Sequence, residues 1–401
     1  MNLSKKLDAH AAGVFTQMSN NKLALEARGV DVIDLSTGTP DLPPAPHVVE
    51  ALLESARNPL SWRYAIKDKP ELLVAAAEWY QCRFGVALNA EQEICSLMGS
   101  QDGLSHLCMA ICDPGDLVLV PDPGYPIFQM GPRIAGCELF HVPCRQQNGY
   151  VMDLDAVPED VARRARLIIT SYPNNPTGAV APRSFYEKLI RFAKAYDVAV
   201  LHDNAYCELY AGDEPVGSFL QLPGAKDVGV EFNSLSKTYA MPGCRVGFAL
   251  GNRELVSKLS ALKSHIDFGT FLPIQQAAIA ALTGSQDIVK VNRQAYNERR
   301  TALYEGLKDI GWTIDEPAAT MFVWAKLPER YQDSMAFARL LMDKAGVIAV
   351  PGVAFGEMGE GHMRFGLVQP VERIEEAVRR IGKSGLIGKS GIMAGDNGSE
   401  G

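Results

Sequence analysis

The chain has 401 residues, of which 47% are hydrophobic and 21% are charged, and its net charge at pH 7 is -8. This length exceeds what one hydrophobic core usually supports, so two domains are expected. An acidic balance without a basic run argues against nucleic acid as a partner. No apolar stretch approaches the roughly 20 residues of a membrane span. The first residues also lack the pattern of an export signal, so we expect no membrane partner.

The eight cysteines are scattered along the chain and form no C-x-x-C pair. Cys108 and Cys112 stand one helical turn apart, but no neighbouring histidine or cysteine completes a metal site. We therefore expect no bound metal, and we interpret the thiols as small core residues in a reducing compartment. These features together predict a cytoplasmic enzyme.

Hydrophobic patterning predicts an N-terminal helix at residues 9–28 and a short strand at 32–35, then helices at 47–56 and 71–84. From residue 94 to about 280, strands and helices alternate, which predicts an α/β fold: a mostly parallel sheet flanked by helices. The lack of a G-x-G-x-x-G motif between a strand and a helix disfavours a dinucleotide-binding fold. The predicted strands cover residues 117–120, 138–142, 167–170, 199–201, 228–232 and 246–250, and two clear helices cover 102–111 and 183–196.

A long helix is predicted at residues 287–310, and the remainder to about residue 381 has the pattern of a smaller α+β domain, in the order strand, helix, strand, strand, helix. The glycine- and serine-rich end has the composition of a disordered tail. We predict four segments: an N-terminal arm and part of the small domain (1–45), the large domain (46–285), the small domain (286–383) and the disordered tail (384–401).

The stretch from residue 233 to residue 248 reads N-S-L-S-K-T-Y-A-M-P-G-C-R-V-G-F. Lys237 follows Ser234 and Ser236 at the end of a predicted strand, and Arg245 comes eight residues later. A partly desolvated lysine loses its proton easily and forms a Schiff base with a carbonyl, while serine hydroxyls and an arginine suit a phosphate. An aldehyde that also carries a phosphate is pyridoxal 5'-phosphate. Viewed alone, the same stretch equally fits a surface lysine between two strands.

Two further predicted strands end in polar residues: Asn175 lies in S-Y-P-N-N-P-T-G, and Asp203 and Tyr206 lie in H-D-N-A-Y. In open α/β sheets the ligand binds beyond the carboxyl ends of the strands, so these residues are expected to meet Lys237. Asp203 could hold a proton on a pyridine nitrogen. Asn175 and Tyr206 could bond the phenolic oxygen of the ring. In isolation, a turn or helix cap is the favoured explanation of Asp203, and a plain Asn-Pro turn also explains Asn175.

The segment M-G-S-Q-D at residues 98–102 precedes a predicted helix, whose free N–H groups form an anion site. Ser100 and Gln101 would complete a phosphate-binding cup with the residues that flank the lysine. Tyr125 follows another strand and could stack on the ring. Arg364 alternates with apolar residues, and its planar guanidinium suits a substrate α-carboxylate. The structural alternatives are an ordinary helix cap, a buried tyrosine and an internal ion pair.

These motifs, in this order, resemble those of the class I/II aminotransferases of the pyridoxal-phosphate fold-type I superfamily, over about residues 10–382. The resemblance implies transfer of an amino group between an L-amino acid and a 2-oxo acid, with Lys237, Asp203 and Tyr206 as catalytic residues. The implied cofactor-binding residues are Ser100, Gln101, Tyr125, Asn175, Asp203, Tyr206, Ser234, Ser236, Lys237, Arg245 and Tyr64. The implied substrate-binding residues are Gly38, Asn175 and Arg364.

The resemblance also implies a homodimer with shared active sites, because Tyr64 looks like the family's tyrosine that reaches the phosphate of the neighbouring subunit. Residues 262–273 look closest to LL-diaminopimelate and alanine (glutamate–pyruvate) aminotransferases. The predicted exchange is therefore between glutamate with 2-oxoglutarate and LL-diaminopimelate or a similar long polar amino acid, with alanine and pyruvate as the alternative pair. Two rival classes remain, a pyridoxal-phosphate lyase or synthase on the same scaffold and a binding protein. The intact lysine and the lack of an appended helix-turn-helix argue against the second.

Overall fold

The structure is a computed structural model that describes residues 14–387. Its strands are β1 (Ile33–Asp34), β2 (Ile94–Leu97), β3 (Leu117–Asp122), β4 (Glu138–Pro143), β5 (Ala165–Ser171), β6 (Ala199–Asp203), β7 (Gly229–Ser234), β8 (Gly247–Gly251), β9 (Phe322–Lys326), β10 (Val347–Ile348), β11 (Val350–Pro351) and β12 (His362–Gly366). Its helices are α1 (Val14–Glu26), α2 (Pro46–Arg57), α3 (Pro70–Phe84), α4 (Ser100–Ile111), α5 (Ile127–Ala135), α6 (Glu159–Arg164), α7 (Arg183–Tyr196), α8 (Ala225–Val228), α9 (Leu235–Thr238), α10 (Arg253–Ile266), α11 (Leu272–Thr283), α12 (Asp287–Asp309), α13 (Ser334–Ala345) and α14 (Val371–Lys383).

Several helices begin at a proline or end at a glycine, residues that suit these positions. Pro46 and Pro70 stand at the first positions of α2 and α3, where a missing N–H costs nothing and the fixed φ fits the helix. Gly85 and Gly346 end α3 and α13 in the left-handed region, with φ of 66° and 64°, which glycine adopts without steric cost.

The central sheet has seven strands in the order β2-β8-β7-β6-β5-β3-β4. Its strands pair in parallel from β7 to β4, and only β8 pairs antiparallel with its two neighbours. This arrangement confirms the predicted α/β class with a mostly parallel sheet. All six strands predicted between residues 94 and 280 are present, with bounds within three residues of those expected. The sequence analysis did not identify β2, because four residues reading I-C-S-L carry little strand pattern.

Alternate residues of the strands pack into two different cores. Leu119 and Ile168 belong to one cluster, and Val118, Leu167 and Leu201 belong to another. Because successive side chains of a strand point to opposite faces, the two clusters cover the two faces of the sheet. Full burial of each such side chain contributes about 1.5–3 kcal/mol. Packing on both faces of the sheet therefore fixes the positions of the carboxyl ends of its strands.

A second lobe contains the antiparallel sheet β11-β12-β9 and the parallel pair β1-β10. The pairing of Ile33 with Val347 joins the N-terminal segment to the C-terminal part of the chain. The division of the chain at residues 45, 285 and 383 stays a prediction. Residues 384–387 of the predicted tail belong to the folded part, since Leu386 is buried in the core of this lobe. Residues 1–13, which include the start of the predicted first helix, and residues 388–401 lie outside the described part. Between residues 14 and 387, no helix is both long and apolar enough to cross a membrane.

Candidate active site

The carboxyl ends of the central strands and the second lobe enclose a cavity of about 850 Å³. Asp203 is the last residue of β6, and Lys237 lies in α9, directly after β7. Parallel strands bring their carboxyl ends to one edge of a sheet, which is why residues so distant in sequence meet there. The cavity is lined by every residue named from the sequence except one: Gly38, Ser100, Gln101, Tyr125, Asn175, Asp203, Tyr206, Ser234, Ser236, Lys237, Arg245 and Arg364.

Asp203 is buried at 6% exposure, and its Oδ1 has no hydrogen-bond partner among the described residues. Burial, together with the nearby carboxylate of Glu231, raises the pKa of Asp203 to about 7. A buried carboxylate of this kind is stabilised by a cationic N–H donor. A protonated pyridine nitrogen has that chemistry.

Lys237 is half-buried, and its Nζ donates a 2.8 Å hydrogen bond to the carbonyl oxygen of Gly38. Burial and the positive charges of Arg364 and Arg245 lower the pKa of Lys237 to about 8. A substantial fraction of this amine is therefore neutral near physiological pH, as a nucleophilic lysine requires.

An anion-binding cup forms where α4 begins. Ser100 is the first residue of the helix, whose free N–H groups favour an anion. Gly99 precedes it at φ +81°, and any side chain at this position would collide with the guanidinium of Arg245. Ser234 and Ser236, both buried, lie on the same cavity wall. The cup therefore combines backbone donors, hydroxyls and one cation, a set that suits a phosphate monoester.

Arg364 enters from β12 of the second lobe and is 2% exposed. Its Nη1 donates a 2.9 Å hydrogen bond to Oδ1 of Asn175, and its Nη2 donates a 3.0 Å bond to the carbonyl of Ser36. The guanidinium carbon lies 4.1 Å from the ring centre of Phe322 and 4.8 Å from that of Phe355. Burial lowers the pKa of Arg364 to about 10, so the group remains a cation at neutral pH.

Two tyrosines complete the walls of the cavity. Tyr206 is buried, and its ring centre lies 5.9 Å from Nζ of Lys237. The hydroxyl of Tyr125 donates a 3.3 Å hydrogen bond to Oε1 of Gln101 at the start of α4. Burial raises the pKa of both phenols, so both remain protonated and able to donate hydrogen bonds.

A buried lysine, Lys263, binds two carboxylates near the start of α4, where the anion cup lies. Nζ of Lys263 lies 2.6 Å from a carboxylate oxygen of Asp102 in α4 and 2.6 Å from one of Asp267. Oδ1 of Asp102 also lies 2.6 Å from Nδ1 of His106. Asp102, His106 and Asp267 have the composition of a metal site, but the ammonium of Lys263 already supplies a cation to both carboxylates. The cluster fixes α4 against the end of α10.

Tyr64 is the one predicted site residue outside the cavity. Its side chain is 80% exposed, and its ring packs against that of Phe268 with centroids 5.6 Å apart. Its assignment to the phosphate of a neighbouring subunit stays a prediction.

Several cavity residues were missed by the sequence analysis. They come from α1, from β1 and the turn after it, and from β9: Met18, Ser19, Lys22, Asp34, Thr37, Thr39 and Phe322. Asp34 lies in the strand predicted at 32–35, which was an available signal. The helix and the phenylalanine carry no local motif, because their position depends on how the second lobe folds over the sheet.

This fold and the set of groups in the cavity define a pyridoxal-phosphate-dependent transferase. Residues 30–381 match the family model described as aminotransferase class I and II. The chain therefore belongs to this family of pyridoxal-phosphate-dependent aminotransferases, which confirms the predicted resemblance, the enzyme class and the cofactor.

Individual relatives extend the comparison. The LL-diaminopimelate aminotransferase of Moorella thermoacetica is 44% identical over 371 residues, which cover 92% of this chain and 94% of that protein. That of Syntrophobacter fumaroxidans is 46% identical, covering 92% and 95%. Among solved structures, substrate-bound BacF of Bacillus subtilis superposes with a TM-score of 0.91 at 35% identity, covering 96% of this chain and 98% of that one. That structure has the predicted fold type I architecture.

Proposed function

We propose that this aminotransferase exchanges the amino group between LL-diaminopimelate, or a similar long polar amino acid, and 2-oxoglutarate. The observation that carries the proposal is the identity of 42–46% to proteins named LL-diaminopimelate aminotransferases, over most of the chain. The cavity of about 850 Å³ supports it, because it is large enough for a cofactor together with a long substrate.

The described residues fit the cofactor. The unpartnered Oδ1 of Asp203 offers an acceptor to a pyridinium N–H, and the cup at Ser100, Ser234, Ser236 and Arg245 offers donors to a phosphate. When bound, pyridoxal phosphate supplies an electron-withdrawing ring to the substrate α-carbon. Asp203 would keep the ring nitrogen protonated, and Asn175 and Tyr206 would bond the phenolic oxygen. Tyr125 and Gln101 would line the ring and the phosphate.

Lys237 would bind the aldehyde carbon of the cofactor through Nζ until the amino group of the substrate displaces it, and the freed amine would then move a proton at the substrate α-carbon. Its lowered pKa supports both roles, since attack and proton abstraction each need the neutral amine. Its 2.8 Å bond to Gly38 shows that the amine reaches the turn where we place the substrate carboxylate.

Arg364 would bind the α-carboxylate, helped by the backbone at Gly38. The two flanking aromatic rings fix the plane of the guanidinium, and a planar fork can then hold a carboxylate by two hydrogen bonds. These two bonds would bring the α-carbon of the substrate beside Lys237.

The homodimer with shared sites is part of the same proposal. A band of exposed apolar residues surrounds Tyr64, in which Trp62 packs on Phe271 with ring centroids 5.2 Å apart and Tyr64 packs on Phe268. Exposed apolar patches of this kind are typical of protein interfaces. We propose that a second copy covers this band and receives Tyr64 at its phosphate.

We also propose that the enzyme works in the cytoplasm. All eight cysteines are free thiols, and free thiols in this number suit a reducing compartment.

A panel of amino donors tests the substrate proposal. The purified holoenzyme is assayed with LL-diaminopimelate, glutamate and alanine against 2-oxoglutarate and pyruvate, with ammonia release followed in parallel. We expect the highest kcat/KM for the exchange of LL-diaminopimelate with 2-oxoglutarate. Activity with alanine and none with diaminopimelate would establish the alternative pair. Turnover that releases ammonia without any 2-oxo acid acceptor would indicate the lyase class instead.

A further inference from the structure

Two charged side chains of the active-site cavity have no role in the proposed chemistry. Among the described residues, six charged side chains line the cavity: Lys22, Asp34, Asp203, Lys237, Arg245 and Arg364. The last four are accounted for by the ring nitrogen, the aldehyde, the phosphate and the α-carboxylate. Lys22 in α1 and Asp34 in β1 remain, and they form an ion pair with Nζ 2.9 Å from Oδ2.

The carboxylate of this pair is already bonded within its own turn. Oδ1 of Asp34 accepts hydrogen bonds from the backbone N–H of Ser36 at 2.9 Å and from its hydroxyl at 2.7 Å. Among the described residues, Lys22 has one acceptor at hydrogen-bond distance, and its second carboxylate neighbour, Glu26, lies 3.9 Å away. An ammonium has three donors. Lys22 therefore retains donors for a further anion, and its side chain is 34% exposed.

The position of Lys22 relative to Arg364 is fixed by one short segment. Asp34 holds Lys22, and the carbonyl of Ser36 holds Nη2 of Arg364. Two residues of extended chain span at most about 7 Å. Lys22 and Arg364 both line the cavity, and both are held by this one short segment, an arrangement that suits a small molecule with two carboxylates.

The cavity is also lined by apolar side chains. Met18 of α1, Leu104 of α4, and Ile127 and Met130 of α5 are among them. Methylene groups between two carboxylates would pack against such side chains without desolvating a polar group.

We infer that Lys22, oriented by Asp34, is a specificity-determining residue that binds the distal carboxylate of substrates whose side chain ends in a carboxylate. This inference rests on the proposed function, because it takes Arg364 as the anchor of the α-carboxylate. Both diaminopimelate and glutamate carry a distal carboxylate, whereas alanine does not. Lys22 would thus select the proposed substrate pair over the alternative pair.

The test compares Lys22→Gln with Lys22→Arg and with Arg28→Gln. Arg28→Gln removes one exposed positive charge just beyond the same helix, so it controls for net charge. In Lys22→Gln we expect kcat/KM to fall about tenfold for LL-diaminopimelate and glutamate, mainly through KM. The values for alanine and norleucine should not change. Lys22→Arg should retain most of the activity, and Arg28→Gln should match the unsubstituted enzyme with every donor.

Binding of an unreactive dicarboxylate gives a second measurement that does not depend on turnover. The Kd of glutarate should rise about tenfold in Lys22→Gln, whereas that of butyrate should stay constant. An equal loss with all donors would overturn the inference, as would unchanged values for diaminopimelate, glutamate and glutarate. If the unsubstituted enzyme used alanine but neither distal carboxylate, the proposed substrate would fail, and the role of Lys22 with it. Normal wild-type activity with an unaffected Lys22→Gln would overturn only the inference.

Discussion

Nζ of Lys237 donates a 2.8 Å hydrogen bond to the carbonyl oxygen of Gly38, although 199 positions separate the two residues in sequence. One belongs to the end of the central sheet, and the other to the turn after β1, which pairs with the second lobe. A carbonyl accepts a bond from the amine in either protonation state, so it positions Lys237 without fixing its charge. The site is therefore assembled between the two lobes.

Lys237→Ala should reduce kcat by about 10²–10⁴-fold, because the proton-transferring amine is lost. Binding of pyridoxal phosphate should persist in part, since the anion cup is unchanged. Borohydride should fix the cofactor covalently to Lys237 in the unsubstituted enzyme, as peptide mapping would show. Lys194→Ala, at an exposed ion pair with Asp227, is the matched control and should leave labelling unchanged. Labelling of another lysine would contradict the assignment.

The rate at which the apoenzyme binds pyridoxal phosphate should rise with pH and reach half of its maximum at a pH of about 8. Burial and two arginines lower the pKa of Lys237 to this value, and only the neutral amine attacks an aldehyde. Below pH 8 the protonated fraction grows and the rate should fall. Stopped-flow absorbance between pH 6 and pH 10 measures the profile. A midpoint near the ordinary lysine value of 10.5 would show that the lysine is not desolvated.

Asp203→Asn should impair kcat much more than cofactor binding. The neutral amide cannot keep the pyridine nitrogen protonated, whereas the phosphate contacts at the start of α4 are untouched. Steady-state kinetics and the Kd of the cofactor are measured on the same preparation. Asp203→Glu serves as the companion variant, because it retains the charge and should lose less of kcat if the cavity accommodates it. A near-normal kcat in Asp203→Asn would place the ring elsewhere.

Arg364→Lys should cost about 1.5–3 kcal/mol in transition-state binding, because an ammonium cannot reproduce the bidentate guanidinium fork. The loss should appear in kcat/KM for every amino acid, since all share the α-carboxylate. Arg373→Lys, at a half-exposed ion pair with Asp31, should behave like the unsubstituted enzyme. A defect limited to one donor would instead assign Arg364 to the side-chain end of the cavity.

Mixing two inactive variants tests whether Tyr64 crosses to a neighbouring subunit. In a heterodimer of Tyr64→Ala and Lys237→Ala, a shared architecture puts both lesions in one site and neither in the other. Up to half of the sites should then regain activity.

Tyr64→Phe is the matched variant for this experiment, because it retains the packing on Phe268 and removes only the hydroxyl. It should be impaired if that hydroxyl binds a phosphate. Heterodimers verified by tag-selective purification that show no recovery would mean that Tyr64 does not act across the interface.

Local sequence patterns were sufficient to predict the class of fold and many residues of the cavity. Burial of both faces of the sheet makes strands such as β5 and β6 nearly continuous apolar runs, so their ends could be located from the sequence. The carboxyl ends of such strands share one edge, and the convergence of Asn175, Asp203 and Lys237 followed from that rule. Lys237, which follows Ser234 and Ser236 and precedes Arg245, predicted the cofactor from the sequence.

Only the tertiary structure showed what closes the cavity. Lys22 lies in an ordinary polar helix, and Phe322 begins an ordinary strand. Neither carries a local signal, because their roles come from how the second lobe packs against the sheet. The bond from Arg364 to Asn175 and the bond from Lys237 to Gly38 each join segments about 190 or more residues apart. Local sequence fixes the preferences of each element and the chemistry of each side chain, whereas contacts at such separations are decided by the packing of the whole chain.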